Sequence, residues 1–161
     1  MPPPAATYMV YETRRRDPDP RRAALLVIDV QGHFASLAAP IMPAIASTVS
    51  LCRAAGMPVV HTRHVDPVPR GRPLGEWWPS DRIDAGTPAA ELLPGAGRAE
   101  GDLVTTARDA FVMGFRVFFS ADATATATRD LHEATLANMA FGFAYIVDCE
   151  RLEAALGKPA R

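Results

Sequence analysis

The sequence predicts a single α/β domain with an open, mainly parallel sheet covered by helices on both faces. Three observations support this fold class. Residues 24–29 form a continuous apolar run ending in an acid, which is typical of a strand buried on both faces of a parallel sheet. Strand, helix and strand patterns follow one another over about 35 residues, the length of a βαβ unit. The same alternation resumes after residue 106.

Composition agrees with one globular domain and excludes several other classes. The chain has 161 residues, of which 48% are hydrophobic and 22% charged, so wholesale disorder is excluded. A net charge of −1 gives no reason to expect a nucleic-acid partner. No uninterrupted apolar run reaches the roughly 18 residues of a membrane span, so no membrane association is expected. Two cysteines and an N-terminus without an apolar signal region predict a cytoplasmic location.

Residues 1–22 are predicted to be an extended leader rich in proline and arginine, ahead of a single domain at 23–161. Five of the 15 prolines fall within the first 20 residues. The basic side chains of this leader are expected to be solvated, with anion or partner binding as the alternative. They are Arg14, Arg15, Arg16, Arg21 and Arg22.

The first βαβ unit occupies residues 24–62. A short loop follows the strand at 24–29. A helix is predicted over 41–55, where Ile45, Val49 and Cys52 fall at helical spacing, and Gly56 supplies its C-terminal stop. The run at 58–62 predicts a second strand, parallel to the first.

Residues 63–101 show no clear period, and such a long excursion is usually functional or locally ordered. One short helix is predicted at 87–93, with Thr87 as N-cap and Pro88 in its first position. After the excursion the pattern predicts helix 106–113, strand 115–120, helix 128–141 capped by Thr128, strand 144–147, and helix 149–156 capped by Asp148.

Ligands of open α/β sheets bind beyond the carboxyl ends of the strands. Three predicted strands end there in polar residues: Asp29, the segment 61–64, and Asp122. Asp29 follows a buried strand and is therefore partly removed from water, which suits a general acid or base. The alternative is an aspartate that only caps the following turn.

A metal site and a nucleotide cofactor are both disfavoured by spacing. His61, His64 and Asp66 form the one cluster of histidine and aspartate, but no third histidine or cysteine completes a zinc set. Polar strand-end residues are therefore the preferred interpretation. A dinucleotide site requires a glycine-rich turn after the first strand, and DVQGHF offers only Gly32. We predict neither a metal nor a cofactor.

The remaining candidates are aromatic residues, thiols and one histidine. Trp77 and Trp78 are expected to wall a pocket or to form a small satellite core. Cys52 is interpreted as a core residue. Cys149 begins the last helix, but no histidine or acid is evidently placed to activate it. His132 is expected to face solvent.

Five segments together resemble the isochorismatase-like (cysteine hydrolase) family, which includes nicotinamidases, N-carbamoylsarcosine amidohydrolases and isochorismatases. In chain order they read ALLVIDVQGHF, AAGMPVVHTRH, GEWWP with GTPAAELLP, TARDAFVMGFRVFFSADATAT, and HEATLANMAFGFAYIVD. They cover most of residues 23–148.

The resemblance implies a six-stranded parallel sheet, frequent oligomerisation, and a site built from an aspartate, a lysine and usually a cysteine. The aspartate matches Asp29. Phe34 and Trp77 match pocket-lining aromatic positions, and we place His64 in the same substrate pocket. The zinc ligands of the family's nicotinamidases follow the second strand, and the order of residues 64–67 does not reproduce them.

The chain departs from this pattern where GDLV at 101–104 runs almost directly into TAR at 106–108. The family's lysine, a helix, a central strand and the nucleophile loop belong between them, roughly one strand-plus-helix unit of 30–45 residues. Lys158 is the only lysine, and neither Cys52 nor Cys149 lies in a matching context. We expect the strands at 24–29 and 115–120 to pair in place of the missing strand, or a partner subunit to supply the pairing.

The sequence therefore predicts two alternative functions. The first is a family hydrolase acting on a small molecule, at an amide C–N bond or an isochorismate-type vinyl ether, with Asp29 as the retained acid/base and the chain as a homo-oligomer. The alternative is a catalytically inactive derivative that serves at most as a binding or assembly partner.

Overall fold

The computed structural model describes residues 7–66, 82–96 and 114–157. Within these ranges the strands are β1 (Leu25–Val27), β2 (Val59–His61), β3 (Val117–Ser120) and β4 (Ala144–Val147). The helices of two turns or more are α1 (Met42–Ala54), α2 (Arg129–Gly142) and α3 (Cys149–Leu156). The predicted helix at 106–113, the GDLV segment and both tryptophans lie outside the described residues.

The first half of the domain is a parallel pair of strands covered by α1. Leu25 pairs with Val59, and Val27 pairs with His61, which confirms the predicted parallel pairing of these strands. Val27 lies in a core cluster with Ile45 and Val49 of α1, because these side chains recur on one face of the helix. Gly56 follows the C-terminal end of α1 with a φ of 75°, a backbone conformation that glycine adopts without strain.

The segment before α1 is helical, where a loop was predicted. A 3-10 turn at Gly32–Phe34, one α-helical turn at Ala35–Ala38 and a second 3-10 turn at Ala39–Ile41 lead into α1. Proline stands in the first turn of both the second 3-10 segment and α1. Because proline has no N–H to donate, it is tolerated at a helix start but interrupts a continuous helix.

The second half is the parallel pair β3–β4 with α2 packed against it. Leu136, Met139 and Ile146 are its buried core, and Phe119 packs against them. The rings of Phe118 and Tyr145 stack on each other with centroids 5.3 Å apart. Both predicted N-caps are confirmed, since the Thr128 hydroxyl accepts the Leu131 N–H and the Asp148 carboxylate accepts the Arg151 N–H.

The two halves share no strand ladder within the described residues, so the expected pairing between the first and third strands is not observed there. Leu26 of β1 and Ile28, which follows β1, are 40% and 49% exposed. Contact between α1 and α3 joins the halves instead. The hydroxyl of Thr48 lies 3.2 Å from the sulfur of Cys149 at this contact. Helix packing therefore sets the position of the two strand pairs.

Two short 3-10 helices, Thr7–Tyr11 and Pro20–Arg22, interrupt the leader that was predicted to be extended. Residues Thr7–Tyr11 form a 3-10 helix against α2. The guanidinium of Arg151 donates to the carboxylates of Glu12 and Asp17 at 3.0 Å each and to the carbonyl of Arg16 at 2.6 Å. The predicted solvent exposure of the five leader arginines is confirmed. The leader is thus tied to the body through its acids and its backbone.

One stretch, Gly32–Ala54, is long and apolar enough to cross a membrane by length and composition. Uninterrupted apolar runs did not identify it, because polar residues are spaced through it. Its residues Ile45, Thr48, Val49 and Cys52 are buried against the rest of the domain. In this structure 22% of the apolar window is buried.

Candidate active site

Asp29 lies two residues beyond the end of β1, at the edge of the sheet that was predicted to carry the site. Its backbone N–H donates to both the carbonyl and the hydroxyl oxygen of Thr62, each at 3.2 Å. The Thr62 hydroxyl in turn donates to Oδ1 of Asp29 at 2.9 Å. Because Thr62 follows β2, the pairing of β1 with β2 is what brings these two residues together.

The backbone of Asp29 is strained. Its φ is 54°, and among the described residues it is the sole non-glycine residue with a positive φ. Aspartate tolerates this region better than most residues, and non-glycine residues held there cluster at functional sites. Thr62 thus holds one carboxylate oxygen of Asp29, and within the described ranges the other, Oδ2, accepts no hydrogen bond.

Gln31 fixes the loops around Asp29 and was not among the site residues predicted from the sequence. Its side chain is fully buried. Its amide accepts from the His64 N–H at 2.7 Å and donates to the carbonyls of His64 at 3.0 Å and Ala89 at 3.2 Å. The one sequence signal was a polar residue in DVQ, two positions after the candidate acid.

Close packing brings the turn at Gly32 against the 3-10 helix Pro88–Ala90. A Cβ on Gly32 would lie 2.1 Å from the carbonyl oxygen of Pro88, so glycine is required here. The predicted helix at 87–93 is present as this shorter segment, and Thr87 occupies its N-cap position without a side-chain cap bond. Its hydroxyl donates instead to the carbonyl of Asp84.

The structure separates His61 from the other two members of the predicted cluster, His64 and Asp66. His61 is fully buried, and neither ring nitrogen has a hydrogen-bond partner among the described residues. The His64 imidazole is 38% exposed and lies 3.6 Å from the Asp66 carboxylate, which is 1% exposed. Asp66 also accepts the Ile83 N–H at 2.8 Å, which anchors the chain at residue 83. Among the described residues no group of three or more His, Cys, Asp or Glu side chains is placed to hold a metal ion.

Of the two predicted aromatic pocket residues, Phe34 lies within the described residues and Trp77 does not. Phe34 is half-buried, and its ring packs edge-on against that of His33 at 4.7 Å between centroids. Its backbone N–H donates to the carbonyl of Gln31, so Phe34 belongs to the loop that follows Asp29. Trp77 lies outside the described residues, and its role as a pocket wall stays a prediction.

Asp122, the third strand-end acid, has a structural position. One of its oxygens accepts the Ser120 hydroxyl at 2.8 Å and the other accepts the Cys149 N–H at 2.9 Å. Burial by itself would raise the pKa of Asp122, but these hydrogen bonds favour the carboxylate and the pKa is lowered. Asp122 therefore ties the end of β3 to the first turn of α3.

Neither thiol is prepared for nucleophilic catalysis. Burial raises the pKa of Cys149 and of Cys52, which keeps both in the thiol form at neutral pH. Cys52 is 2% exposed, as expected of a core residue. His132, expected to face solvent, is half-buried, and its Nε2 lies 3.1 Å from the carbonyl oxygen of Ala121.

Comparison with known proteins places this geometry in context. A family model described as "Isochorismatase domain" matches residues 23–105 and 99–151. Nicotinamidase 3 of Arabidopsis thaliana is 42% identical over 188 aligned positions, which cover 91% of this chain and 94% of that protein. The alignment has more positions than the chain has residues, and the two segments matched by the family model overlap at residues 99–105, the stretch that contains GDLV and ends just before TAR. Both findings agree with the predicted internal deletion.

Solved structures share the fold. A cysteine hydrolase from Pseudomonas syringae pv. phaseolicola 1448A superposes with a TM-score of 0.73 at 18% identity, covering 88% of this chain and 97% of its own. An isochorismatase family protein from Burkholderia thailandensis gives 0.72 at 16% identity, covering 90% and 100%. An N-carbamoylsarcosine amidase from Thermoplasma acidophilum gives 0.64 at 16% identity, covering 79% and 96%. The predicted α/β fold class is confirmed.

Proposed function

This chain belongs to the isochorismatase family of hydrolases, and on that premise we propose that it hydrolyses a small molecule at the site of Asp29. The bond cleaved is an amide C–N bond or an isochorismate-type vinyl ether. The observation that carries the proposal is the placement of Asp29 at the end of β1. Its backbone is strained, Thr62 holds one carboxylate oxygen, and the other oxygen accepts no bond within the described residues.

This arrangement is suited to proton transfer by a positioned carboxyl group. As a base, Asp29 takes a proton from the water that attacks an amide carbonyl. As an acid, it protonates one vinyl carbon of the ether, and water then attacks the adjoining carbon, which has become electrophilic. The identity with a nicotinamidase favours a carboxamide substrate.

The amide route must proceed without a covalent thioester. Lys158, the single lysine, lies beyond both segments matched by the family model. Cys52 is buried in α1 and Cys149 begins α3, and neither stands just before TAR in the sequence, where the pattern that this chain resembles has its cysteine. Direct attack by water, assisted by Asp29, is therefore the amide chemistry that we propose.

A second candidate is favoured by the same join between GDLV and TAR. Loss of the lysine and the nucleophile loop removes the groups that would stabilise charge opposite Asp29. In this case the chain is an inactive derivative that acts as a binding or assembly partner. A cytoplasmic homo-oligomer with a small-molecule ligand is part of both proposals.

Activity measurements on the purified chain separate the two candidates. Release of ammonia from a panel of carboxamides that includes nicotinamide, together with product formation from isochorismate, tests both bond types. Asp29→Asn is expected to reduce turnover about 100-fold or more, since general acid–base groups contribute on that scale. Asp130→Asn, an exposed carboxylate in the first turn of α2, is the matched control and is expected to keep full activity.

Each outcome is decisive. Turnover that persists in Asp29→Asn removes Asp29 from the mechanism. A folded chain with no turnover on either substrate class establishes the inactive derivative. Loss in Asp29→Asn with retention in Asp130→Asn supports the hydrolase.

A further inference from the structure

The two cysteines of the chain lie on helices that contact each other, Cys52 on α1 and Cys149 at the start of α3. The sulfur of Cys149 lies 3.2 Å from the Thr48 hydroxyl and 3.4 Å from the carbonyl oxygen of Ala44. Thr48 precedes Cys52 by four residues, and both are buried on the same face of α1. The sulfur of Cys149 thus contacts α1 at two residues that lie four and eight positions before Cys52.

The direction of the Cys52 side chain also favours an approach of the two sulfur atoms. Helical side chains lean toward the N-terminus of their helix, so the thiol of Cys52 leans toward Thr48 and the sulfur beyond it. The electrostatics agree with this proximity. Burial raises the pKa of Cys52, and the neighbouring Cys149 raises it further.

We propose that Cys52 and Cys149 are an oxidisable thiol pair, which a small-molecule disulfide converts into an intramolecular disulfide bond between α1 and α3. Cys149 is half-buried and Cys52 fully buried, so Cys149 reacts first. The inference is independent of hydrolysis at Asp29.

The exchange balances with glutathione disulfide as the oxidant. The Cys149 thiolate attacks one sulfur of glutathione disulfide, whose S–S bond breaks and releases one glutathione thiolate. The Cys52 thiol then loses its proton to solvent and attacks the Cys149 sulfur of the mixed disulfide, which releases the second glutathione. Two protein thiols are oxidised, and one disulfide is reduced to two glutathione thiols.

The position of the pair gives the bond a structural consequence. α1 belongs to the half built on β1–β2, and α3 follows β4 of the other half. The halves share no strand ladder in the part of the chain that the structure describes. A bond between Cys52 and Cys149 would therefore fasten the two halves across the place where the sheet is interrupted.

The raised pKa values set the conditions of the test. Because both thiols are mainly protonated at neutral pH, exchange will be slow, and equilibrium is a better readout than rate. The reduced chain is equilibrated in a series of glutathione redox buffers, trapped with acid and N-ethylmaleimide, and analysed by intact mass and by non-reducing peptide mapping.

We expect a monomer that loses both free thiols together, carries no glutathione, and yields one peptide joined between Cys52 and Cys149. The equilibrium favouring this bond should be about 10-fold or more greater in buffer than in urea, because folding holds the thiols together. Cys52→Ser should stop at a glutathione adduct on Cys149, and Cys149→Ser should remain unmodified.

Three results would overturn the proposal. The first is that both thiols stay free in the most oxidising buffer. The second is that the unaltered chain forms a stable glutathione adduct or an intermolecular dimer. The third is that the equilibrium constant for forming the Cys52–Cys149 bond is no greater in buffer than in urea. The last comparison uses the unaltered chain, so it does not depend on either variant folding.

Discussion

Replacement of His61 by leucine is expected to stabilise the protein. His61 is fully buried at the end of β2 and paired in register with Val27, and within residues 7–66, 82–96 and 114–157 neither of its ring nitrogens has a hydrogen-bond partner. A neutral imidazole carries one donor and one acceptor, so two polar atoms are buried without compensation. Each such atom costs about 1–3 kcal/mol. Leucine has a similar volume and removes both atoms while keeping the core filled.

The expected gain is about 2 kcal/mol, because imperfect packing of leucine offsets part of the relief. Unfolding in urea, followed by circular dichroism, measures it. With a slope near 2 kcal/mol/M for a chain of this size, the midpoint should rise by about 1 M.

The matched control is His132→Leu, because that ring does have a partner. Its Nε2 lies 3.1 Å from the carbonyl oxygen of Ala121, so leucine leaves that carbonyl unpaired and should lower the stability by about 1 kcal/mol. The two substitutions are chemically identical and opposite in sign. A midpoint for His61→Leu that is unchanged or lower would refute the reasoning, and would mean that an internal water or another group satisfies the ring.

Three further predictions concern the site and its supports. Thr62→Val should lower stability by about 1.5–3 kcal/mol in urea unfolding, because it removes a hydrogen bond to a carboxylate, and an unchanged midpoint would contradict this role. Asp122→Asn should destabilise at pH 7 but have little effect near pH 2. The lowered pKa of Asp122 gives stability that is present above the unfolded value of about 3.9 and is lost as pH falls through the folded value. An equal effect at both pH values would exclude this linkage. Arg151→Met should release the leader, so that trypsin cleaves at Arg14 and Arg16 faster while cleavage at Arg53 in α1 is unchanged; equal rates in both proteins would show that other contacts hold the leader.

Sequence patterns predicted the helix ends well where the contacts that form them lie within one turn of the helix. The caps Thr128 and Asp148 and the stop at Gly56 were identified from residue type and position, because a cap is formed within one turn of its helix. The turns before α1 were not, because a proline-interrupted series of short helical segments has no single period. The role of Gln31 was also missed, since its partners His64 and Ala89 are distant in sequence.

The candidate site shows the same division. Asp29 was selected because an acid follows a buried apolar strand. Its positive φ and its bond to Thr62 arise from strand pairing and could not be inferred from the run of residues alone. The separation of His61 from His64 has a similar origin. Strand alternation and register turn His61 into the core, whereas His64 lies beyond the strand end and stays half-exposed.

By itself, the sequence determined the family, the alternation of strands and helices, the join between GDLV and TAR, and the absence of a second lysine. These are properties of residue order and number. Tertiary structure alone decided how the two halves associate. The predicted pairing of the first and third strands gave way, in the described residues, to packing of α1 on α3. Contacts between residues distant in the chain depend on which surfaces bury the most apolar area together, and local sequence patterns do not specify that.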